Sequence, residues 1–192
     1  MNGLRIYPSS YIKYIGVYLD ASINGNHHCN ILVRKLKRAN DILSKARHYV
    51  PSEELLSIYH AIFSSHLVYG CQIFGQSINI FTKKVLKLQN RAMRILSFSD
   101  FYANADPLYK MFNILKLSDI IALQNCIFVQ DVFNNKLPIC FNPYFQSISN
   151  IHSIDTKSSE FGCIHIPLFA TTKYGLNSFT RKCIDSWNLF SK

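Results

Sequence analysis

The stretch Ile78-Asn79-Ile80-Phe81-Thr82-Lys83-Lys84-Val85-Leu86-Lys87-Leu88-Gln89-Asn90-Arg91-Ala92-Met93-Arg94-Ile95-Leu96-Ser97 has the period of a helix. Phe81, Val85, Leu88, Ala92 and Ile95 recur at three- and four-residue steps and line one face. Lys84, Lys87, Arg91 and Arg94 form one row along the opposite side, with Gln89 and Asn90 beside them. Residues 78–98 contain no Asp or Glu. An ordinary solvated helix face interleaves both signs, whereas a row of one sign suits a polyanion. Such a row can track a phosphate backbone, each contact releasing counterions and making affinity salt-dependent. The alternative for the row is a plain solvated face.

The same period extends to both sides. From about Asn26 to Tyr49, Leu32, Val33, Leu36, Ala39, Ile42, Leu43 and Ala46 make an apolar stripe. Arg34, Arg38 and Lys45 form a second, looser basic row on that helix. Pro51-Ser52-Glu53-Glu54 marks a stop and a restart, with Ser52 as N-cap and two glutamates at the positive end of the dipole. Leu55, Leu56, Ile58, Tyr59, Ile62, Phe63 and Leu67 make the next stripe, wide enough to predict burial on most sides. Asp106 or Pro107 opens a short helix, and Ser118-Asp119 caps a longer one that ends at Asn134-Asn135. Residues 138–175 read as irregular, with one short extended segment at Phe161–Phe169. A last helix over Ser178–Phe190 carries Phe179, Cys183, Trp187 and Phe190 on its apolar side. At the other end, Tyr11–Leu19 is rich in β-branched and aromatic residues and predicts one strand. Gly16 within it suggests a bulge or a close backbone approach, and the strand's partner would be the segment around Gly3 to Tyr7 or lie outside the chain. The fold class is mainly α with a short N-terminal β element, a helical bundle, a second helical group and an irregular C-terminal tail.

The 192 residues carry 48% hydrophobic and 17% charged side chains, with 7 Gly and 6 Pro. That apolar share argues against long disorder, and the few Gly and Pro against collagen-like chains. Mean hydropathy is +0.05, yet no apolar run reaches the roughly 20 residues of a membrane span. No secretory signal is expected, and an intracellular protein, cytoplasmic or nuclear, is. The 21 Lys and Arg against 11 acidic residues give a formal charge of +10, which favours nucleic acid first and acidic membrane surfaces second, or serves only solubility. Cys29, Cys71, Cys126, Cys140, Cys163 and Cys183 lack C-x-x-C pairing and read as small buried hydrophobes in a reducing compartment.

Catalytic chemistry is sparse. Two-metal nucleotidyl transfer needs clustered carboxylates, and no two aspartates are adjacent. Glu53-Glu54 sits where a helix start would want it. No phosphate loop of the G-x-x-x-x-G-K-[ST] type and no G-x-S-x-G elbow occurs. His27-His28-Cys29 could be metal ligands but lacks a four-ligand spacing, and polar residues opening a helix are the alternative. No catalytic and no metal site is therefore expected.

Several segments resemble the reverse transcriptases of non-LTR retrotransposons of the LINE and jockey-like kind. Lys13-Tyr14-Ile15-Gly16-Val17-Tyr18-Leu19-Asp20 resembles the Y-L-G-V segment that follows the polymerase palm, and Ser22-Ile23-Asn24 with the basic helix after it resembles the start of the thumb. Ile58-Tyr59-His60-Ala61-Ile62-Phe63, Leu67-Val68-Tyr69-Gly70 and Phe74-Gly75 are similar to the family's "l-Y-x-a-l … l-x-Y-G … w-G" pattern. Leu88-Gln89-Asn90-Arg91-Ala92-Met93-Arg94-Ile95-Leu96 resembles its "l-Q-n-r-a-l-R-i-i" helix. His152-Ser153, Asp155-Thr156-Lys157, Tyr174-Gly175 and Ser186-Trp187-Asn188 are similar to its "h-x-x-x-T-R … g … l-W-N" ending. Lys157 stands where the family favours Arg, and Phe74 where it favours Trp.

The resemblance implies three segments: a β element of the palm–thumb junction at 1–22, a helical thumb at 23–100 and a post-thumb helical region at 101–192. It also implies a C-terminal part of an RNA-directed DNA polymerase that binds template–primer, with RNA or an RNA–DNA duplex and the remaining polymerase domains as partners and no membrane. The paired aspartates of the family's F/Y-A-D-D motif are absent, so this chain is expected to be inactive alone and to hold no cofactor, the magnesium belonging to the palm. Candidate nucleic-acid contacts are Lys84, Lys87, Gln89, Asn90, Arg91 and Arg94, with Arg34, Arg38 and Lys45. The alternatives are a protein-interaction module and an inactive element remnant.

Overall fold

The computed structural model describes residues 9–21, 25–74, 79–151, 162–167 and 178–191. The segments around Gly3–Tyr7, Ser22-Ile23-Asn24, Gly75, His152–Lys157 and Tyr174-Gly175 lie outside the described residues. The fold is mainly helical, with one small sheet at the start. It divides into two compact units, one of residues 1–70 with 77–112 and one of residues 71–76 with 113–192.

The first unit begins with a hairpin rather than a single strand. Strands β1 (Tyr11–Tyr14) and β2 (Val17–Asp20) pair antiparallel, with Tyr14 opposite Val17 and Tyr11 opposite Asp20. Ile15 and Gly16 make the two-residue turn, at φ 43° and 78°. Both positive values are what a type I′ turn requires. Gly16 is thus a turn residue and not a bulge. A close approach is present as well, because a Cβ on Gly16 would sit 3.3 Å from the Tyr69 ring. The left-handed conformation is costly for a β-branched residue such as Ile15. The Tyr69 hydroxyl donates to the Ile15 carbonyl and pins the turn.

Helix α1 spans Asn26–Ala46 and buries Leu32, Leu36, Ala39 and Leu43. Helix α2 (Ser52–Tyr59) follows, with Pro51 at the N-cap. Ser52 is the first helical residue and its side chain caps nothing, because the extended Pro51 already turns the chain; Glu53 and Glu54 do fill the first turn. A π-helical segment, His60–Ser64, leads into α3 (Ser65–Val68). The stripe Leu55, Tyr59, Phe63 and Leu67 is buried, Leu56, Ile58, Ile62, Ser64 and His66 are half-buried, and the remaining side chains are exposed. Full burial is thus confined to one face, with the rest of the apolar stripe half-buried, less than the width of the stripe predicts. A four-residue repeat drifts around an α-helix of 3.6 residues per turn. The wider π segment absorbs that drift and keeps the stripe on one face. Helix α5 (Asn79–Leu96) buries Phe81, Val85, Ala92, Met93, Ile95 and Leu96, and the short α6 (Asp106–Met111) has Pro107 in its first turn.

The second unit holds α4 (Cys71–Phe74), α7 (Leu117–Phe133), a 3-10 segment (Ile139–Tyr144), α8 (Ile148–Ile151) and α9 (Phe179–Phe190). Helix α7 starts at Leu117 after an extended Lys116, so Ser118 lies inside the helix and bonds Asp119 instead of capping. Val129, Val132, Phe145, Ile164, Cys183 and Ile184 form the core. Phe128 meets Phe141, Phe145 and Phe179 edge-on at 4.9–6.0 Å, a favoured geometry for aromatic rings. On α9 it is Ile184, not Phe190, that completes the buried face, and Phe190 is exposed. Ser178 caps α9 by accepting from the Arg181 amide. Cys29, Cys71, Cys163 and Cys183 are buried, whereas Cys126 is half-buried and Cys140 exposed on the 3-10 segment.

The Ser186-Trp187-Asn188 run ties this unit together. Asn125 of α7 donates to the Ser186 hydroxyl at 3.2 Å. Trp187 Nε1 donates to the Gly162 carbonyl at 3.1 Å. Asn188 accepts from the Ile164 amide at 2.8 Å and donates to its carbonyl at 2.9 Å, acting as a strand partner made from a side chain. The other edge of this segment bonds Gln146 and Ile148. Ile164 is fully buried, so Asn188→Ala strands two backbone groups away from water. The expected loss is about 2–4 kcal/mol, read from denaturant unfolding of the variant. A loss under about 0.5 kcal/mol, the level of an ordinary surface change, would contradict the clamp.

Candidate nucleic-acid interface

Three contacts set how α1 lies against α5. Asn40 Nδ2 donates to the Leu88 carbonyl at 2.9 Å, Asp41 pairs with Arg91 at 3.7 Å, and the Arg47 guanidinium lies 5.1 Å over the Phe98 ring. The partners advance in the same sense along both helices, so α1 and α5 run parallel. The chain returns between them through α2, the π segment and α3. Both C-termini therefore sit at the Arg47–Phe98 end, where Lys45, Arg47 and Arg94 suit the negative ends of two dipoles.

The basic rows lie on the exposed sides. Lys84, Lys87 and Arg91 are exposed along α5, and Arg34, Arg38 and Lys45 along α1. Asp41 stands between Arg38 and Lys45 on its own stripe, and its pairing with Arg91 joins the middles of the two rows. An exposed pair at that distance contributes at most about 1 kcal/mol, so Arg91 remains free to exchange Asp41 for a phosphate. The described residues of the first unit carry thirteen Lys and Arg against six Asp and Glu, those of the second unit four against three. Among the described residues nearly all of the positive excess therefore sits in the first unit, which holds these two helices.

Three expected contact residues have internal duties. Gln89 is fully buried and hydrogen-bonds Tyr59. A side chain without exposed surface cannot reach a phosphate, so Gln89 belongs to the core. Asn90 is half-buried and accepts from the Tyr109 hydroxyl at 2.7 Å. Arg94 is half-buried and its Nε donates to the Ala103 carbonyl at 2.7 Å, holding the loop after α5. Burial pushes the Tyr59 hydroxyl up to about 12 and raises Tyr109 as well, so both stay protonated at neutral pH and Tyr109 can donate to Asn90. In the sequence Gln89 and Asn90 read as surface, because they are polar residues next to cations. Lys83 and Lys37 are also exposed beside the rows.

The His27-His28-Cys29 run packs the hairpin onto α1. The His27 ring stacks on Tyr11 at 4.0 Å, and His28 Nδ1 accepts from the Tyr18 amide at 3.3 Å on the outer edge of β2. Cys29 is buried. Among the described residues no three His, Cys, Asp or Glu side chains form a group able to hold a metal ion. No helix of the described residues is long and apolar enough to cross a membrane.

Burial, then the charges of Lys35 and His27, holds His28 below its ordinary value. A histidine depressed in the folded state binds its proton less readily than in the unfolded chain. Its contribution is intact above the unfolded value near 6.5 and is lost as pH falls from there toward the folded value. His66, also lowered by burial and Lys35, adds in the same direction. The wild-type melting temperature is expected to drop between pH 7.5 and 5, and His28→Asn to flatten that drop. An equal drop in the variant would contradict the assignment.

No protein-family model matches the chain, and no solved structure matches it. It is 24% identical over 112 residues to the "Probable RNA-directed DNA polymerase from transposon X-element" of Drosophila melanogaster, which covers 57% of this chain and 12% of that protein. It is 25% identical over 125 residues to the "RNA-directed DNA polymerase from mobile element jockey" of Drosophila funebris, covering 63% of this chain and 14% of that protein. The chain thus spans about an eighth of the length of these relatives. The similarity relates it to the RNA-directed DNA polymerases of mobile elements.

Proposed function

We propose that this chain is the thumb and post-thumb portion of a retrotransposon reverse transcriptase and grips template–primer without catalysing nucleotide transfer itself. The observation that carries this reading is the pair of exposed basic rows on the parallel helices α1 and α5, joined at Arg91–Asp41. The similarity to mobile-element polymerases supports the reverse-transcriptase part of this reading from a separate direction. Chemistry would come from carboxylates and magnesium in a palm, while this chain would bind backbone phosphates through Lys84, Lys87, Arg91, Arg34, Arg38 and Lys45.

A second reading, a protein-interaction module, draws on the hairpin, whose Ile12, Tyr14 and Ile15 side chains are 62%, 64% and 71% exposed. Salt separates the two readings, because phosphate contacts weaken steeply with ionic strength and apolar docking does not.

The test is binding of an RNA–DNA duplex by fluorescence anisotropy over a salt series. Lys84→Ala/Lys87→Ala/Arg91→Ala leaves Arg94 on its loop carbonyl and so spares the fold. It is expected to weaken binding regardless of sequence and to lower the salt slope by about one per removed contact. Binding and slope unchanged in this variant would overturn the proposal.

A further inference from the structure

Where the α5 row ends, the surface changes character. Arg94 Nε holds the Ala103 carbonyl, fixing the turn that follows the helix. The Ser97 and Ser99 hydroxyls bond each other at 2.7 Å, and the Ala103 amide bonds the Asp100 carbonyl at 3.1 Å. This braced turn displays three rings. Phe98 is 47% exposed, Phe101 68% and Tyr102 91%. Phe101 and Tyr102 meet edge-on at 5.1 Å, and the Arg47 guanidinium covers one side of Phe98.

Large aromatic side chains cost free energy when left in water, and a well-bonded turn holding them outward needs an occupant. Charge says which occupant fits. The turn adjoins a cationic track, and its one acidic side chain, the exposed Asp100, repels a phosphate placed on the rings themselves. Flat uncharged groups belonging to a polyanion satisfy both conditions: the backbone on the cations, the bases on the rings. Bases inside a duplex already stack on both faces, so away from the duplex end the rings can take only unpaired ones.

We propose that Phe98, Phe101 and Tyr102 form a stacking platform for the unpaired bases of a single-stranded nucleic-acid segment whose phosphates run along Lys84, Lys87 and Arg91. This rests on the nucleic-acid reading above and adds to it a preference for a duplex with a single-stranded extension. Arg47 and Arg94 act as positioning residues, one backing Phe98 and the other fixing the turn.

The experiment compares three probes of equal duplex length on the whole chain: a blunt RNA–DNA duplex, the same duplex with a short uridine extension, and one whose extension carries abasic sites. The uridine extension is expected to tighten binding by about tenfold for each stacked base, and the abasic extension to give little of that gain. Phe101→Leu/Tyr102→Leu keeps apolar surface but removes the ring faces. It is expected to abolish the uridine advantage while blunt-duplex binding and the melting temperature stay at wild-type values. Equal binding of all three probes by the wild type would overturn the platform, as would an unchanged uridine advantage in the double-leucine variant, the outcome that fits a protein-docking turn. Failure of even the blunt duplex to bind would instead defeat the nucleic-acid reading itself.

Discussion

One buried hydrogen bond fixes the geometry on which the proposed interface depends. Asn40, fully buried, donates to the Leu88 carbonyl of α5. Its Oδ1 finds no partner among the described residues, and an unmet buried acceptor costs about 1–3 kcal/mol. Asn40 is therefore a poor source of stability and a good source of register. Apolar stripes alone would let α1 slide one turn along α5 with little penalty. The amide permits one alignment, and that alignment sets Asp41 beside Arg91 and the two basic rows on a shared exposed side.

Around this contact the polar side chains divide by duty. Gln89 reaches Tyr59 on α2, Asn90 reaches Tyr109 on α6, and Arg94 reaches the loop after α5. Helix α5 thus fastens three neighbours through hydrogen bonds, while Lys84, Lys87 and Arg91 stay exposed. In the Leu88–Leu96 segment Gln89 and Asn90 hold the bundle, and Arg91 is the outward arginine. The Trp187-Asn188 pair does comparable work in the second unit, clamping the backbone at Gly162 and Ile164.

Much of the helical architecture is legible in residue spacing, because α1 and α5 each keep a 3.6-residue apolar period. The hairpin is not legible, since Ile15-Gly16 lacks the Asn-Gly chemistry that announces a type I′ turn and both strands run together as one apolar stretch. The one-sided burial of α2 and α3 depends on a π segment, which no local pattern in His60–Ser64 betrays. At the site, spacing found the exposed cations but not the inward turn of Gln89, because polarity reports solubility and not direction. The aromatic turn at Phe98–Tyr102 is not legible in the sequence, because its meaning comes from exposure, which only the fold supplies.

Lysine acetylation read by mass spectrometry, with and without an RNA–DNA duplex, tests the central claim most directly. The two-helix grip requires Lys37, Lys45, Lys84 and Lys87 to lose reactivity when the duplex is added, while Lys116, Lys136 and Lys182 of the second unit keep theirs. Protection of the second unit's lysines with the α1 and α5 lysines still reactive would contradict it.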